Sequence, residues 1–177
     1  MILATQAAPN ALLGELTPPG DKSISHRALI FACLAQGTSR IRGLLDSEDV
    51  NATANACRQL GMTARAEGGE WVLEGVGERG LQPPDGPLDM GNSGTAMRLL
   101  AGVLAAQPFD SELTGDASLN RRPMKRIVAP LSLMGACIET AAGGTPPLRI
   151  SGRPDLRGID YESPIASAQV KSCLLLA

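Results

Sequence analysis

The stretch "GDKSISHRALIF" at residues 20–31 crowds a lysine, two serines, a histidine and an arginine against the start of an apolar run. Lys22 is a compact cation with rotatable donors, suited to a phosphate or a carboxylate. Arg27 carries a planar fork that can take a carboxylate in a bidentate way. Ser23 adds a short hydroxyl, and a helix beginning here adds unpaired backbone N–H groups. Together these are the parts of an anion-binding site. His26 is the only histidine in the chain, and a general base is within its chemistry. No Ser/Asp partner pattern surrounds it, so the sequence assigns it to supporting the helix start.

Three further stretches carry similar chemistry. In "DMGNSGTAMR" (89–98), Gly91 and Gly94 permit close backbone approach to a ligand, and Asn92 supplies an amide at a helix entrance. The pattern is not G-x-x-x-x-G-K-[ST], so a nucleotide P-loop is not supported. In "TGDASLNRRPMKR" (114–126), four cations fall within six residues, Arg121, Arg122, Lys125 and Arg126, beside a stiffening Pro123. In "SPIASAQVKS" (163–172), Ser167 and Gln169 are uncharged donors and acceptors able to orient a hydroxylated anion. Taken singly, each stretch also fits an ordinary capped helix or a solvated charged face.

The elements that must hold these residues alternate between strand-like and helical patterns, which predicts a layered α/β or α+β fold. The periodicity predicts a helix over 26–36, a strand over 38–43, a helix over 47–61 capped by Ser47, and a hairpin over 63–75 turning at Gly68-Gly69. The same order then recurs: a short strand, a glycine turn and a helix over 87–107, a strand over 110–115, a helix over 121–135 with Pro123 near its first turn, and a hairpin over 136–152. A third unit begins at residue 158. With a first strand supplied by the segment before Lys22, the repeat is βαβαββ. Each unit's first helix has a small residue near its start and a cation four positions later: Ser23 and Arg27, Gly94 and Arg98, Ser167 and Lys171, at offsets of 71 and then 73 residues. Capping alone accounts for one such start. Three in register predict a pseudo-threefold arrangement with three helix N-termini aimed at one place, an anion site without a P-loop or a metal.

Composition narrows the partners. The aromatic residues are only Phe31, Trp71, Phe109 and Tyr161, so base-stacking platforms are not expected. Net charge is −2 and the basic residues form no long run, which argues against nucleic acid and leaves small anionic metabolites. Cys33, Cys57, Cys137 and Cys173 lack metal-site spacing and read as small core residues of a reducing compartment. No metal and no cofactor is called for. The N-terminus lacks a signal-peptide pattern, and no apolar run reaches the ~20 residues of a membrane span. The expected location is the cytoplasm. "SAQVKSCLLLA" breaks off within an apolar helical pattern, so the sequence reads as part of a longer chain.

In order and spacing, "GDKSISHRALIFACLAQGTSRI", "GNSGTAMRLLAG", "TGDASLNRRPM" and "SAQVKSCLLLA" resemble the N-terminal part of the 5-enolpyruvylshikimate-3-phosphate synthases, over residues 12–177. "SAQVKS" and "GDASLNRRPM" look more like the bacterial class II group. The resemblance implies transfer of the enolpyruvyl group of phosphoenolpyruvate to the 5-hydroxyl of shikimate 3-phosphate, with release of phosphate. It implies a fold of two lobes, each an inside-out α/β barrel of three βαβαββ units. Residues 20–177 would form an incomplete N-terminal lobe, with residues 1–19 belonging to the other lobe. By resemblance, Lys22 contacts both substrates and is the proton-transfer candidate. Ser23 and Arg27 hold shikimate 3-phosphate together with Ser167, Ala168 and Gln169. Asn92, Gly94, Arg122 and Gln169 serve phosphoenolpyruvate. Ala168 departs from a serine found in many relatives. Gly94 stands where some class II members carry alanine and resist glyphosate, so the resemblance implies sensitivity. The implied partner is the remaining C-terminal portion of the same enzyme, a monomer that binds neither nucleic acid nor membrane. A related UDP-N-acetylglucosamine enolpyruvyl transferase, or a non-catalytic anion-binding half-domain, are the alternatives. Lys22-Ser23 argues against the former, which pairs its lysine with asparagine.

Overall fold

In the computed structural model, which describes residues 13–177 together with Ala4 and Ala11, helix α1 (Lys22–Leu34) starts ahead of the expected residue 26. The cause is Asp21, whose carboxylate accepts the Ile24 N–H at 2.8 Å and so satisfies an otherwise orphaned donor. Ser23 therefore lies inside the first turn. Strand β1 (Gln36–Arg42) follows, then α2 (Glu48–Gln59), capped by Ser47 as expected, with Glu48 and Asp49 in its first turn. Strands β2 (Thr63–Glu67) and β3 (Glu70–Val76) form the hairpin. Its turn residues Gly68 and Gly69 have φ of 59° and 80°, the left-handed values that a two-residue hairpin loop requires. The sheet order is β1-β3-β2, all antiparallel.

Among the described residues, the expected first strand is absent. Residues 13–21 take no regular secondary structure, and Pro18 and Pro19 remove two of the N–H donors a strand would need. The rest of the expected 1–19 segment lies outside the described residues.

The second unit is complete. It comprises β4 (Leu88–Asp89), α3 (Gly94–Ala105), β5 (Ser111–Thr114), a 3₁₀ turn at Leu119–Arg121, α4 (Lys125–Leu133), β6 (Cys137–Ala141) and β7 (Thr145–Ser151). Its sheet order is β4-β5-β7-β6, with β4 and β5 parallel. Without β4, the order β5-β7-β6 reproduces β1-β3-β2. A close approach repeats too. A Cβ on Gly75 would lie 2.0 Å from the Ala32 carbonyl oxygen at the end of α1, and one on Gly152 would lie 2.2 Å from the Gln107 carbonyl oxygen beyond α3. The helix expected over 121–135 starts only at Lys125. Arg122 is extended (φ −80°, ψ 134°), because the residue before a proline is disfavoured in helical backbone. Pro123 thus precedes the helix, while Pro130 sits within it.

The third unit contributes α5 (Ala168–Leu175), capped by Ser167. Helix α3 forms the centre, packing against α1, α2, α4 and α5. Leu99, Leu100, Ala101, Leu104 and Ala105 are all fully buried, as expected for a helix apolar nearly all round. Each large side chain so buried contributes about 1.5–3 kcal/mol relative to exposure. The result is an α/β fold whose two sheets remain open. Cys33, Cys57 and Cys173 are buried in it, and burial pushes the Cys173 thiol up to about 12. Cys137 departs from the expected core role and is exposed at the start of β6. Among the described residues, no helix is long and apolar enough to cross a membrane.

Candidate anion-binding site

The first helices of the three units are stitched together near their starts by side chains. Arg27 of α1 donates from Nη1 to the Ser23 carbonyl at 3.1 Å and from Nη2 to Ser172 Oγ of α5 at 2.8 Å. Arg98 of α3 donates to Gln169 Oε1 of α5 at 2.7 Å, and Gln169 Nε2 donates to Thr95 Oγ1 at 2.9 Å. Both ends of the Gln169 amide are thereby fixed. The predicted convergence of α1, α3 and α5 is present, but its third cation is not. Lys171 is exposed and takes no part in these bonds. The N-caps explain why: Arg27, Arg98 and Lys171 are the sixth, fifth and fourth residues after Asp21, Ser93 and Ser167. At 3.6 residues per turn, equal spacing from the predicted starts does not give equal direction.

Arg122 reaches the same place from the extended loop before α4. It donates to Asn92 Oδ1 at the entrance of α3, while Asn92 Nδ2 donates to Asp116 Oδ2 at 2.7 Å. Asp116 is itself anchored by the Leu119 N–H at 2.7 Å. That N–H first, and then the Asn92 amide, hold its carboxyl below the usual carboxylate range. Asp116, Asn92 and Arg122 therefore form an oriented relay. Gly94 makes room beside it, because a Cβ there would lie 3.0 Å from Arg98 Nη1 and 3.3 Å from Arg122 Nη1.

Charge in this region is unbalanced. Burial lowers the Arg98 pKa from its ordinary value, and the neighbouring guanidinium groups of Arg126 and Arg122 lower it further. Gln169, its hydrogen-bond partner, is neutral. Such clustering of like charges, partly screened from water, attracts anions. Lys22 stands on α1 with its side chain about half exposed and pairs with Asp49 of α2. A pair that open to water contributes about 0–1 kcal/mol, so an incoming anion can compete for the ammonium. Ser23 is exposed, Ser167 caps α5 by accepting the Val170 N–H at 3.4 Å, and Ala168 is the first residue of that helix. Arg121, Lys125 and Arg126 lie at the surface. Among the described residues, no group of three or more His, Cys, Asp and Glu side chains could hold a metal.

His26 does not face this site. It is completely buried, with Nδ1 2.7 Å from Thr53 Oγ1 of α2. Burial pushes its pKa below the ordinary 6.5, Lys22 and Arg27 push it the same way, and Asp49 opposes them. The unfolded chain then binds the proton more tightly than the folded one, so stability is full above 6.5 and is lost as pH falls below that value. The melting temperature is expected to drop between pH 7.5 and pH 5.5, and His26→Asn should remove most of that dependence. A wild-type melting temperature constant over this range would contradict the assignment.

Thr95, Ser172, Asp49 and Asp116 were not singled out from the sequence. Of these, only Asp116 carried a readable signal, as an Asp three residues before a helical turn. An apolar groove of about 640 Å³ runs along another face of α5, lined by Met134, Ile159, Tyr161, Val170 and Leu174, with Ser167 at its rim. It contains none of the clustered guanidinium groups.

The family model for EPSP synthase (3-phosphoshikimate 1-carboxyvinyltransferase) matches residues 6–177. The 3-phosphoshikimate 1-carboxyvinyltransferase of Xanthomonas campestris pv. campestris (strain B100) is 60% identical over 168 residues, covering 94% of this chain and 38% of that protein. The protein of the same name from Halorhodospira halophila is 59% identical over 172 residues, covering 97% of this chain and 39% of that protein. A solved structure of EPSP synthase from Acinetobacter baumannii superposes with a TM-score of 0.89 at 53% identity, covering 92% of this chain and 37% of that one. The chain thus spans well under half the length of the relatives it matches. With motif order, repeated topology and a match across nearly every residue in agreement, the chain belongs to the EPSP synthase family.

Proposed function

We propose that this chain supplies the shikimate 3-phosphate grip, and part of the phosphoenolpyruvate grip, of an enolpyruvyl transferase. The observation that carries the reading is the unbalanced cluster of Arg98, Arg122 and Arg126 beside helix starts tied by Arg27–Ser172 and Arg98–Gln169. Two multiply anionic substrates held side by side need such a set of fixed donors. In this reading Lys22, Ser23 and Arg27 hold shikimate 3-phosphate with Ser167, Ala168 and Gln169. Ala168 contributes a backbone N–H in place of a hydroxyl. Lys22, Asn92, Gly94, Arg122 and Gln169 receive phosphoenolpyruvate.

The reaction protonates the phosphoenolpyruvate methylene carbon, adds the 5-hydroxyl of shikimate 3-phosphate to the adjacent carbon, and then eliminates phosphate. An acid and a base must therefore act at one centre, and Lys22 is the proton-transfer group on this chain. In this reading residues 20–177 are the incomplete N-terminal lobe of the enzyme and residues 1–19 belong to the other. Leu13 and Leu16, exposed at 95% and 88%, are consistent with such a partner. We place the enzyme in the cytoplasm as a monomer, in keeping with its free cysteines.

Calorimetric titration of the 177-residue chain with shikimate 3-phosphate tests the grip. Binding should saturate, UDP-N-acetylglucosamine should give no heat, and adding a polypeptide that matches the rest of a relative should restore phosphate release. Absence of heat with millimolar shikimate 3-phosphate would sink the proposal. The restored enzyme should be inhibited by glyphosate, and Gly94→Ala should raise the inhibitor concentration needed by about tenfold or more, since one extra methyl must displace two guanidinium tips. Equal inhibition of the two forms would show that Gly94 does not set that space.

A further inference from the structure

We propose that His26 is a positioning residue for Lys22, acting through Thr53 and α2 to hold Asp49 against the lysine ammonium. The inference rests on the reading of Lys22 as an anion-binding residue.

Helices α1 and α2 meet as a two-rung ladder. Lys22 and His26 are four residues apart on α1, and their partners Asp49 and Thr53 are four apart on α2. Residues so spaced share one helix face, so the two rungs fix each other's register. The lower rung is partly open to water, with the Lys22 side chain about half exposed and that of Asp49 mostly buried. The upper rung is sealed, since His26 and Thr53 are both fully buried. A sealed rung can determine where an exposed one sits, whereas the reverse is weak.

The hydrogens on the upper rung can be assigned. Thr53 Oγ1 donates its single proton to the Asp49 carbonyl at 3.2 Å. Toward His26 it then offers a lone pair, and we assign the hydrogen of the 2.7 Å contact to Nδ1. Nε2 is left as a bare acceptor, buried without a partner among the described residues. An orphaned acceptor is tolerated more readily than an orphaned N–H, so the burial pattern selects the same tautomer. The result is a directed chain from His26 Nδ1–H to Thr53 Oγ1, and from Thr53 O–H to the backbone of Asp49. The side chain of Asp49 meets Lys22. Ser25 adds a third tie on the same side, because its Oγ accepts the Leu45 N–H at 3.0 Å in the loop leading into α2.

Two measurements on the 177-residue chain test this. First, the lone histidine gives one unambiguous imidazole in ¹⁵N spectra. Wild type should show protonated Nδ1 and bare Nε2 near pH 7.5, Thr53→Ser should keep that tautomer, and Thr53→Val should lose the preference. An Nε2–H tautomer in the wild type overturns the assignment.

Second, the chain has only three lysines, Lys22, Lys125 and Lys171. Their acetylation rates under a limiting N-hydroxysuccinimide ester can be compared within one sample by mass spectrometry. An ammonium held on a carboxylate reacts more slowly, so Thr53→Val should raise the Lys22 rate about threefold relative to the other two, the scale of an exposed ion pair. Thr53→Ser, which sacrifices a buried methyl but keeps the hydroxyl, should leave the Lys22 rate unchanged even if it lowers stability. Asp49→Asn should raise the rate as Thr53→Val does, and the double variant should add nothing further. Independent, additive increases, or a Lys22 rate that follows stability in Thr53→Ser, would overturn the positioning role. Because no substrate is used, failure of shikimate 3-phosphate to bind refutes the site reading and leaves this test standing.

Discussion

Replacing Arg27 with alanine should weaken binding of shikimate 3-phosphate by about 100-fold, the usual scale when one partner of a desolvated charge pair is removed. Arg27 is already held in place before any ligand arrives. Nη1 is fixed on the Ser23 carbonyl and Nη2 on Ser172 Oγ, leaving the remaining guanidinium donors to meet a carboxylate without further ordering. Lysine cannot reproduce that fork, so Arg27→Lys should recover little of the loss. Ser172→Ala separates the two duties of the side chain. It removes the tie to α5 and keeps the charge, and should weaken binding only about fivefold, the worth of one modest hydrogen bond. Calorimetry on the three variants and wild type gives the comparison. Wild-type affinity in Arg27→Ala would remove Arg27 from the site, and equal losses in Arg27→Ala and Ser172→Ala would make it a structural strut.

Local signals were read well from the sequence and directional ones poorly. Ser47 and Ser167 were legible as caps because a side-chain oxygen before an apolar period has few other uses. The hairpin turns at Gly68-Gly69 and Gly143-Gly144 are legible because few other residues adopt positive φ at both positions. The βαβαββ repeat was legible through the recurrence of those signals. Its spatial consequence, three helix starts sharing one region, followed from the repeat. The periodicity starts the first helix at residue 26, whereas Asp21 caps it and starts it at Lys22, and the apparent equivalence of Arg27, Arg98 and Lys171 goes with that shift. A shift of one residue turns a side chain by about 100°, so an equal offset along the chain did not preserve the face. Arg98 kept its place in the cluster and Lys171 did not. The partners that orient the cations, Ser172, Asp116, Thr95 and Asp49, are ordinary polar residues whose role exists only once distant elements meet.

His26 illustrates the same limit from the other side. As the only histidine, among cations, it drew attention as chemistry, yet it is sealed away from the anion cluster. Arg27, the next residue, turns instead toward Ser172 of α5, because a helix shows different faces at successive residues. The stretch thus combines exposed cationic and hydroxyl side chains with a buried contact that fixes α1 on α2.

The largest effect on both fold and site should come from a residue with no side chain and no charge. Gly102 lies in the middle of α3, where a Cβ would stand 2.1 Å from the Cys173 carbonyl oxygen of α5. That atom is main chain within a helix and cannot swing aside as a flexible side chain would. Gly102→Val should therefore push α5 bodily from α3, at a cost of about 3 kcal/mol or more. For a chain of this length that lowers the melting temperature by roughly 10 °C. Helix α5 carries Gln169 and Ser172, so Arg98 and Arg27 lose their anchors together, and shikimate 3-phosphate binding should fall below detection even at temperatures where the variant is folded. Gly94→Ala is the contrasting case. The atoms nearest its Cβ are the tips of two arginine side chains, so the melting temperature should stay within about 2 °C of wild type, as expected where the crowding atoms can move. Thermal unfolding and calorimetry on both variants separate the two uses of glycine along one helix. If Gly102→Val kept both its melting temperature and its ligand, the close seating of α5 on α3 would not be what assembles the site.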